Sequence, residues 1–228
     1  MEQISFGLIW YVAFLFSTTC HEAAHAFVAM KLGDPTAYHG GQVTLNPIPH
    51  VRREPLGTVL VPIISFLAGG WMLGWASAPY DPNWAEQYPK RSALMSLAGP
   101  GANLLLMVLA GIVIRIGLEL GQFRLPDDIS FAQVVVPAKE GFLTGVSTLV
   151  SIMFTLNLLL LVFNLLPLPP LDGSGAIPLV LPEEQASRYV SLLHQNAYHF
   201  LFLFMAWRAM DYVFNPVFSG ALDLLLGT

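Results

Sequence analysis

The sequence predicts an all-α polytopic membrane protein, and two observations carry that class. Of its 228 residues 55% are hydrophobic and 11% charged, under half the share of about 25% charged residues in soluble domains. Five stretches also contain no Asp, Glu, Lys or Arg: 3–20, 55–80, 92–114, 141–171 and 189–207. A bilayer span needs roughly 20 apolar residues, so these are candidate crossings. One small soluble core would have to bury all five, and that reading is rejected. The net charge of −5, with no basic tail or patch, gives nucleic-acid binding no support. The single Cys20 forms no internal disulfide. No repeat or low-complexity tract divides residues 1–228, which read as one membrane domain.

Taken in order, residues 4–30 form one helix that ends at the Gly33-Asp34-Pro35 breaker. The segment has no basic n-region and runs into polar residues rather than a small-residue cleavage site, so it is read as a span and not a cleaved signal. Next, "AYHGGQVTLN" at 37–46 alternates after a Gly-Gly turn, which predicts a small β hairpin. Residues 57–78 carry Pro62 and, near their middle, Gly69-Gly70, which suit a re-entrant hairpin. Residues 92–114 are a crossing, as is the run that ends near Leu166. A last helix over about 196–218 holds His199, Arg208 and Asp211 and is read as a span with a polar inward face, or else as an interfacial helix. Arg208 and Asp211, three apart, are placed to pair. The count is four to five transmembrane helices.

Polar residues in such a chain need an explanation, because an unpartnered carboxylate is expensive in hydrocarbon. "TTCHEAAHAF" at 18–27 holds His21, Glu22 and His25. Four residues apart on a helix, both imidazoles project from one face, with Glu22 about 100° round from His21. This H-E-x-x-H spacing supplies two metal ligands and a carboxylate within reach of a metal-activated water. The bland alternative, two packing histidines and a snorkelling Glu, does not explain aligned imidazoles. Cys20 points away and reads as a packing residue.

A catalytic zinc takes three protein ligands, and the candidates for the third are His39, His50, Glu54, Glu140 and Asp172. Asp172 sits in "NLLPLPPLDGSG" at 164–175, where Pro167, Pro169 and Pro170 break a long apolar run. Irregular backbone at membrane depth is tolerated only where it lines a protein-walled cavity. Taken alone, the stretch reads equally well as an Asp-Gly turn at the membrane surface. His50 is the runner-up.

Together, HEAAH and NLLPLPPLDG resemble the site-2 protease family, the intramembrane zinc metalloproteases. "GGQVTLNPIPH" and "LAGPGANLLL" also look like its small prokaryotic members, and the resemblance covers most of residues 10–180. Arg52 and Arg53 depart from it by lengthening one loop. The resemblance implies one catalytic Zn2+ on His21, His25 and Asp172, with Glu22 as the catalytic carboxylate. It also implies that Asn103 and Asn164 shape the cleft or hold unwound substrate, although polar glue between helices explains them equally well. The expected activity is cleavage of transmembrane segments of membrane-protein substrates in a prokaryotic cell membrane. An unwound substrate would add as a strand beside Val43 and Thr44. The alternative is a non-proteolytic zinc-binding scaffold or transporter, against which Glu22 speaks, since a structural site needs no spare base. A lipid hydrolase is a further rival.

Topology adds a condition. His21, His25 and Asp172 all lie toward the C-terminal ends of their segments, so they meet only if those helices run parallel, with an odd number of crossings between them. Either 57–78 dips in and returns, or the site lies at the midplane between antiparallel helices. In the first case Lys31, Arg52, Arg53, Lys90, Arg91 and Arg188 share one side, against Arg115, Arg124 and Lys139 on the other. Either way the positive-inside rule puts the N-terminus outside and the site toward the cytoplasm.

Overall fold

The computed structural model describes residues 2–193 and 199–227. Its first element is the 31-residue helix α1 (Glu2–Leu32), about 46 Å long at 1.5 Å per residue. Gly33, at φ 110°, stops it. The buried Asp34 carboxylate then accepts from the Thr36 amide and hydroxyl and from the distant Asp81 amide. Two short helices follow, α2 (Thr36–His39) and α3 (Pro47–Arg53). The second is capped by the Asn46 side chain, which accepts from the Ile48 amide.

The β hairpin expected at 37–46 is not there. Pro35 and Thr36 start a helical turn instead, and Gly41 at φ 73° reverses the chain. Thr44 then spends its hydroxyl on the Asn46 amide and its carbonyl on His50. Local turn chemistry overrides the alternation. Among the described residues, the one sheet pairs β1 (Phe123–Arg124) with β2 (Val136–Pro137), antiparallel, in the loop between two long helices.

A π-helical turn over Leu56–Leu60 leads into α4 (Val61–Gly69), which ends at Gly70 with φ 76°. This arm descends until Phe66 packs against Phe6, 6.0 Å between ring centroids. The non-helical segment 71–81 climbs back to Asp34. Residues 57–78 therefore enter and return on the same side, as the re-entrant reading requires.

After α5 (Pro82–Gln87), α6 (Pro89–Glu119) crosses back, and α7 (Phe142–Asn164) follows the sheet-bearing loop. Arg91 donates to the Leu32 carbonyl, which joins the start of α6 to the end of α1. Asn103 pairs with Asn157, and Ser17 receives a hydrogen bond from Asn157. Gly145 faces Ile9 further down. Hence α1 and α7 run parallel, with α6 antiparallel between them: one crossing, an odd number.

Polar side chains are buried among the apolar core of the bundle, and apolar ones face outward. Ser17, Asn103, Ser147, Ser151, Thr155 and Asn157 are buried, while Ile4, Leu8, Val12 and Phe16 form a stripe on α1 that is 43–78% exposed. That stripe suits lipid contact and would be a liability in water. Among the described residues, three helices are long and apolar enough to cross a membrane, 3–32, 89–119 and 142–164. With one further long helix they make four, within the expected four to five. Beyond the proline break come α8 (Asp172–Ala176), a 3₁₀ turn (Ile177–Val180), α9 (Glu183–Leu193) and α10 (His199–Leu226). At about 42 Å, α10 has the length of a span but not the apolarity of the other three. Arg208 and Asp211 on it pair at 2.7 Å, as their spacing predicts. Arg115 of α6 donates to the Leu225 and Leu226 carbonyls at its C-terminus.

Candidate metal centre

His21 and His25 sit one turn apart on the inner face of α1, with their Nε2 atoms 3.0 Å apart. Asp172 reaches them because α7 stops at Asn164 and the proline-rich turn 165–171 folds back on its end. The fold-back is tight: a Cβ on Gly173 would lie 2.2 Å from the Leu165 carbonyl oxygen, and one on Gly175 2.3 Å from Ser96 Oγ. Only glycine permits so close an approach at these positions. Asp172 Oδ2 comes within 3.1 Å of His21 Nε2, and Oδ1 within 3.3 Å of His25 Nε2.

Both imidazoles are oriented from behind. His25 Nδ1 is 2.7 Å from the Met95 carbonyl oxygen, which can only accept, so Nδ1 carries the hydrogen and Nε2 the lone pair. His21 Nδ1 is 2.6 Å from Asn103 Oδ1 and donates to it. In neutral imidazoles this tautomer turns both Nε2 lone pairs toward the Asp172 carboxylate, whose buried Oδ2 has no hydrogen-bond partner. Such a donor set suits a cation in its middle. The space for one exists because residue 99 is glycine: a Cβ there would lie 2.3 Å from His25 Nε2 and 2.5 Å from His21 Nε2. Tetrahedral zinc with bonds of about 2.0–2.1 Å sets ligand atoms roughly 3.3 Å apart, close to the spacings seen. Among the described residues, His21, His25 and Asp172 are the group of His, Cys, Asp or Glu side chains able to hold a metal ion.

Glu22 is buried within the protein and lines the large cavity beside this cluster, about 1510 Å³. The cavity wall also includes Asn164, residues 71–78, and Trp207, Asp211 and Asn215 of α10. Asn164 donates to the Leu160 carbonyl, while its carbonyl oxygen takes no hydrogen bond.

Other sequence candidates lie elsewhere. His50 is buried, with Nε2 on the Thr44 carbonyl and Nδ1 unpartnered, and it is not part of the cluster. Glu54 accepts from the Ser77 hydroxyl. Asn103 is fully buried, with its oxygen on His21 and its amide on Asn157, and does not line the cavity. His199 lines the cavity. Asn157 was missed. Its only signal is an amide amid the apolar run 141–171.

Residues 9–207 match Peptidase family M50. The chain is 34% identical over 216 residues, covering 94% of itself and 88% of its relative, to the "Putative zinc metalloprotease YwhC" of Bacillus subtilis. It is 33% identical over 186 residues to the "Putative zinc metalloprotease Rip2" of Mycolicibacterium smegmatis, covering 81% of this chain but 62% of that one, under two thirds of its length. For the Rip2 of Mycobacterium tuberculosis strain H37Rv the figures are 34% over 208 residues, 90% and 69%. No solved structure matches. The family match and the paired motifs, joined in one cluster, make this chain a member of Peptidase family M50, the site-2 protease family of zinc metalloproteases.

Proposed function

We propose that the protein is an intramembrane endopeptidase that cleaves transmembrane segments of membrane-protein substrates, with His21, His25 and Asp172 holding its zinc and Glu22 as general base. The observation that carries this is the convergence of two Nε2 lone pairs and an unpartnered carboxylate oxygen beside a buried glutamate in an apolar cavity. When bound, zinc supplies a Lewis acid that polarises the scissile carbonyl and lowers the pKa of water toward about 7. Glu22 accepts the proton of the attacking water and hands it to the departing amide nitrogen. The cation also compensates Glu22 and Asp172 inside the bilayer.

A helical substrate has its carbonyls locked in internal hydrogen bonds, so it must unwind. In place of 37–46, the edge that receives it is segment 72–78. The Leu73 amide donates to Ser65, the Trp75 amide to Gly57, and the Ser77 carbonyl accepts from Gln42. These alternate groups tie one edge to the re-entrant arm and to Gln42. Met72, Gly74 and Ala76 use none of their backbone groups in any described hydrogen bond and offer the other edge to an extended peptide. Asn164 holds the peptide with its free carbonyl oxygen. The six-to-three Lys and Arg bias supports an orientation with the ends of α1 and α7 in the cytoplasm and the N-terminus outside.

Glu22→Gln tests the reading on a single-span substrate. Cleavage should fall by at least about 100-fold with zinc still bound, which also excludes a scaffold. Retained cleavage would overturn the mechanism.

A further inference from the structure

Behind His21 runs a chain of buried amides that crosses all three spanning helices. Asn103 Nδ2 donates to Asn157 Oδ1 at 2.8 Å. Asn157 Nδ2 donates to Ser17 Oγ at 2.9 Å and to the Met153 carbonyl at 2.8 Å. Asn103 and Asn157 are both 0% exposed.

The direction of this chain is forced from its far end. An asparagine can present either its oxygen or its nitrogen to a neighbour, but the Met153 backbone oxygen can only accept. The Asn157 nitrogen must therefore face Met153, and its oxygen must face Asn103. The Asn103 nitrogen is then spent on Asn157, which leaves the Asn103 oxygen for His21. That oxygen can pair only with a hydrogen on Nδ1, so Nε2 is the unprotonated, ligating nitrogen.

We infer that Asn157, which touches neither metal nor substrate, is a positioning residue that sets the tautomer of His21 through Asn103. His25 needs no such relay, because a backbone carbonyl does the same task directly. A residue two steps from the metal thereby controls one ligand's affinity, and Ser17 returns the control to the helix that carries His21. The inference rests on the zinc reading of His21, but the tautomer itself does not.

The full-length protein in detergent tests it, with zinc affinity read by chelator competition and imidazole tautomers read by 15N NMR of the metal-stripped form. Wild type should show the Nδ1–H tautomer at His21. Asn157→Leu frees the Asn103 amide to turn over and should weaken zinc binding by about 10–100-fold, the usual effect of losing an outer-shell partner. Excess zinc should restore cleavage. In an Asn103→Asp background either oxygen accepts from Nδ1, so adding Asn157→Leu should cost no further affinity. A purely structural role for Asn157 would give additive losses. Wild-type zinc affinity in Asn157→Leu, or equal losses in both backgrounds, would overturn the relay. The His21 tautomer of the wild-type protein keeps the question open to test should Asn157→Leu fold poorly, and an Nε2–H tautomer there would overturn the relay. A wild-type protein that takes no zinc would overturn the metal reading instead, and the His21 tautomer would still decide the relay.

Discussion

A single methyl group at position 99 would press against the Nε2 atoms of His21 and His25. Its distances from the two Nε2 atoms, 2.3 and 2.5 Å, are far inside contact, and neither imidazole can retreat without giving up its Nδ1 hydrogen bond. Gly99→Ala should therefore lower zinc affinity by at least about tenfold, the scale of losing one outer partner. Gly101→Ala, whose Cβ would meet nothing within 4 Å, should keep its zinc. Metal analysis of the two purified variants decides it, and full zinc in Gly99→Ala would mean that the cation sits elsewhere. The HEAAH pair was legible in the sequence because the helical period fixes its spacing, whereas the prolines before Asp172 left a surface turn equally open and only the paired motifs singled it out. The contact of Asn103 with His21, and Asn157 altogether, were not legible, for a physical reason. An asparagine in an apolar run advertises only that it needs partners, and which way it points depends on helices more than 50 residues away. Gly99 carried no signal either, since its role is the room it leaves.

Segment 71–81 shows the same limit for an element. "WMLGWASAPYD" has no clean alternation, and its shape comes from distant anchors: Ser65 and Gly57 on the arm, Gln42, and Asp34 at the end of α1. Residues 37–46 alternate but fold as turns, because Pro35, Gly41 and Asn46 dictate local geometry more strongly than period two. If the edge of 72–78 receives the substrate, Ala76→Pro should impair cleavage at least about tenfold with zinc content unchanged, since proline removes the Ala76 amide and thickens that edge. Equal cleavage of a single-span substrate would discard the strand-addition idea and leave the metal site untouched. Gln42→Ala removes one anchor of the opposite edge, the bond to the Ser77 carbonyl. It should cause a smaller loss, seen mainly in KM, because the segment keeps its other ties.

For the molecule as a whole, the ordering of helices follows from parity. His21 and Asp172 each lie near the C-terminal end of a spanning segment, so α1 and α7 must run parallel. The Ser17–Asn157 and Ile9–Gly145 pairings show that they do. One crossing helix between them forces 57–78 to return, and that return brings segment 71–81 alongside the metal cluster. The re-entrant arm thus accords with the ligand set, although the sequence alone left it beside a midplane site between antiparallel helices. The sidedness of the bundle then hinges on six basic residues at the α1 and α7 ends against three at the opposite end. In a Cys20→Ala background, Tyr38→Cys and Asp128→Cys place exposed thiols at opposite ends. A membrane-impermeant maleimide applied to intact bacterial cells should label the Asp128→Cys variant and reach the Tyr38→Cys variant only after permeabilisation. The reverse pattern would turn the cleft toward the outside. It would also mean that substrates are cut near their external ends, while the cluster, the relay and the parallel helices stayed as described.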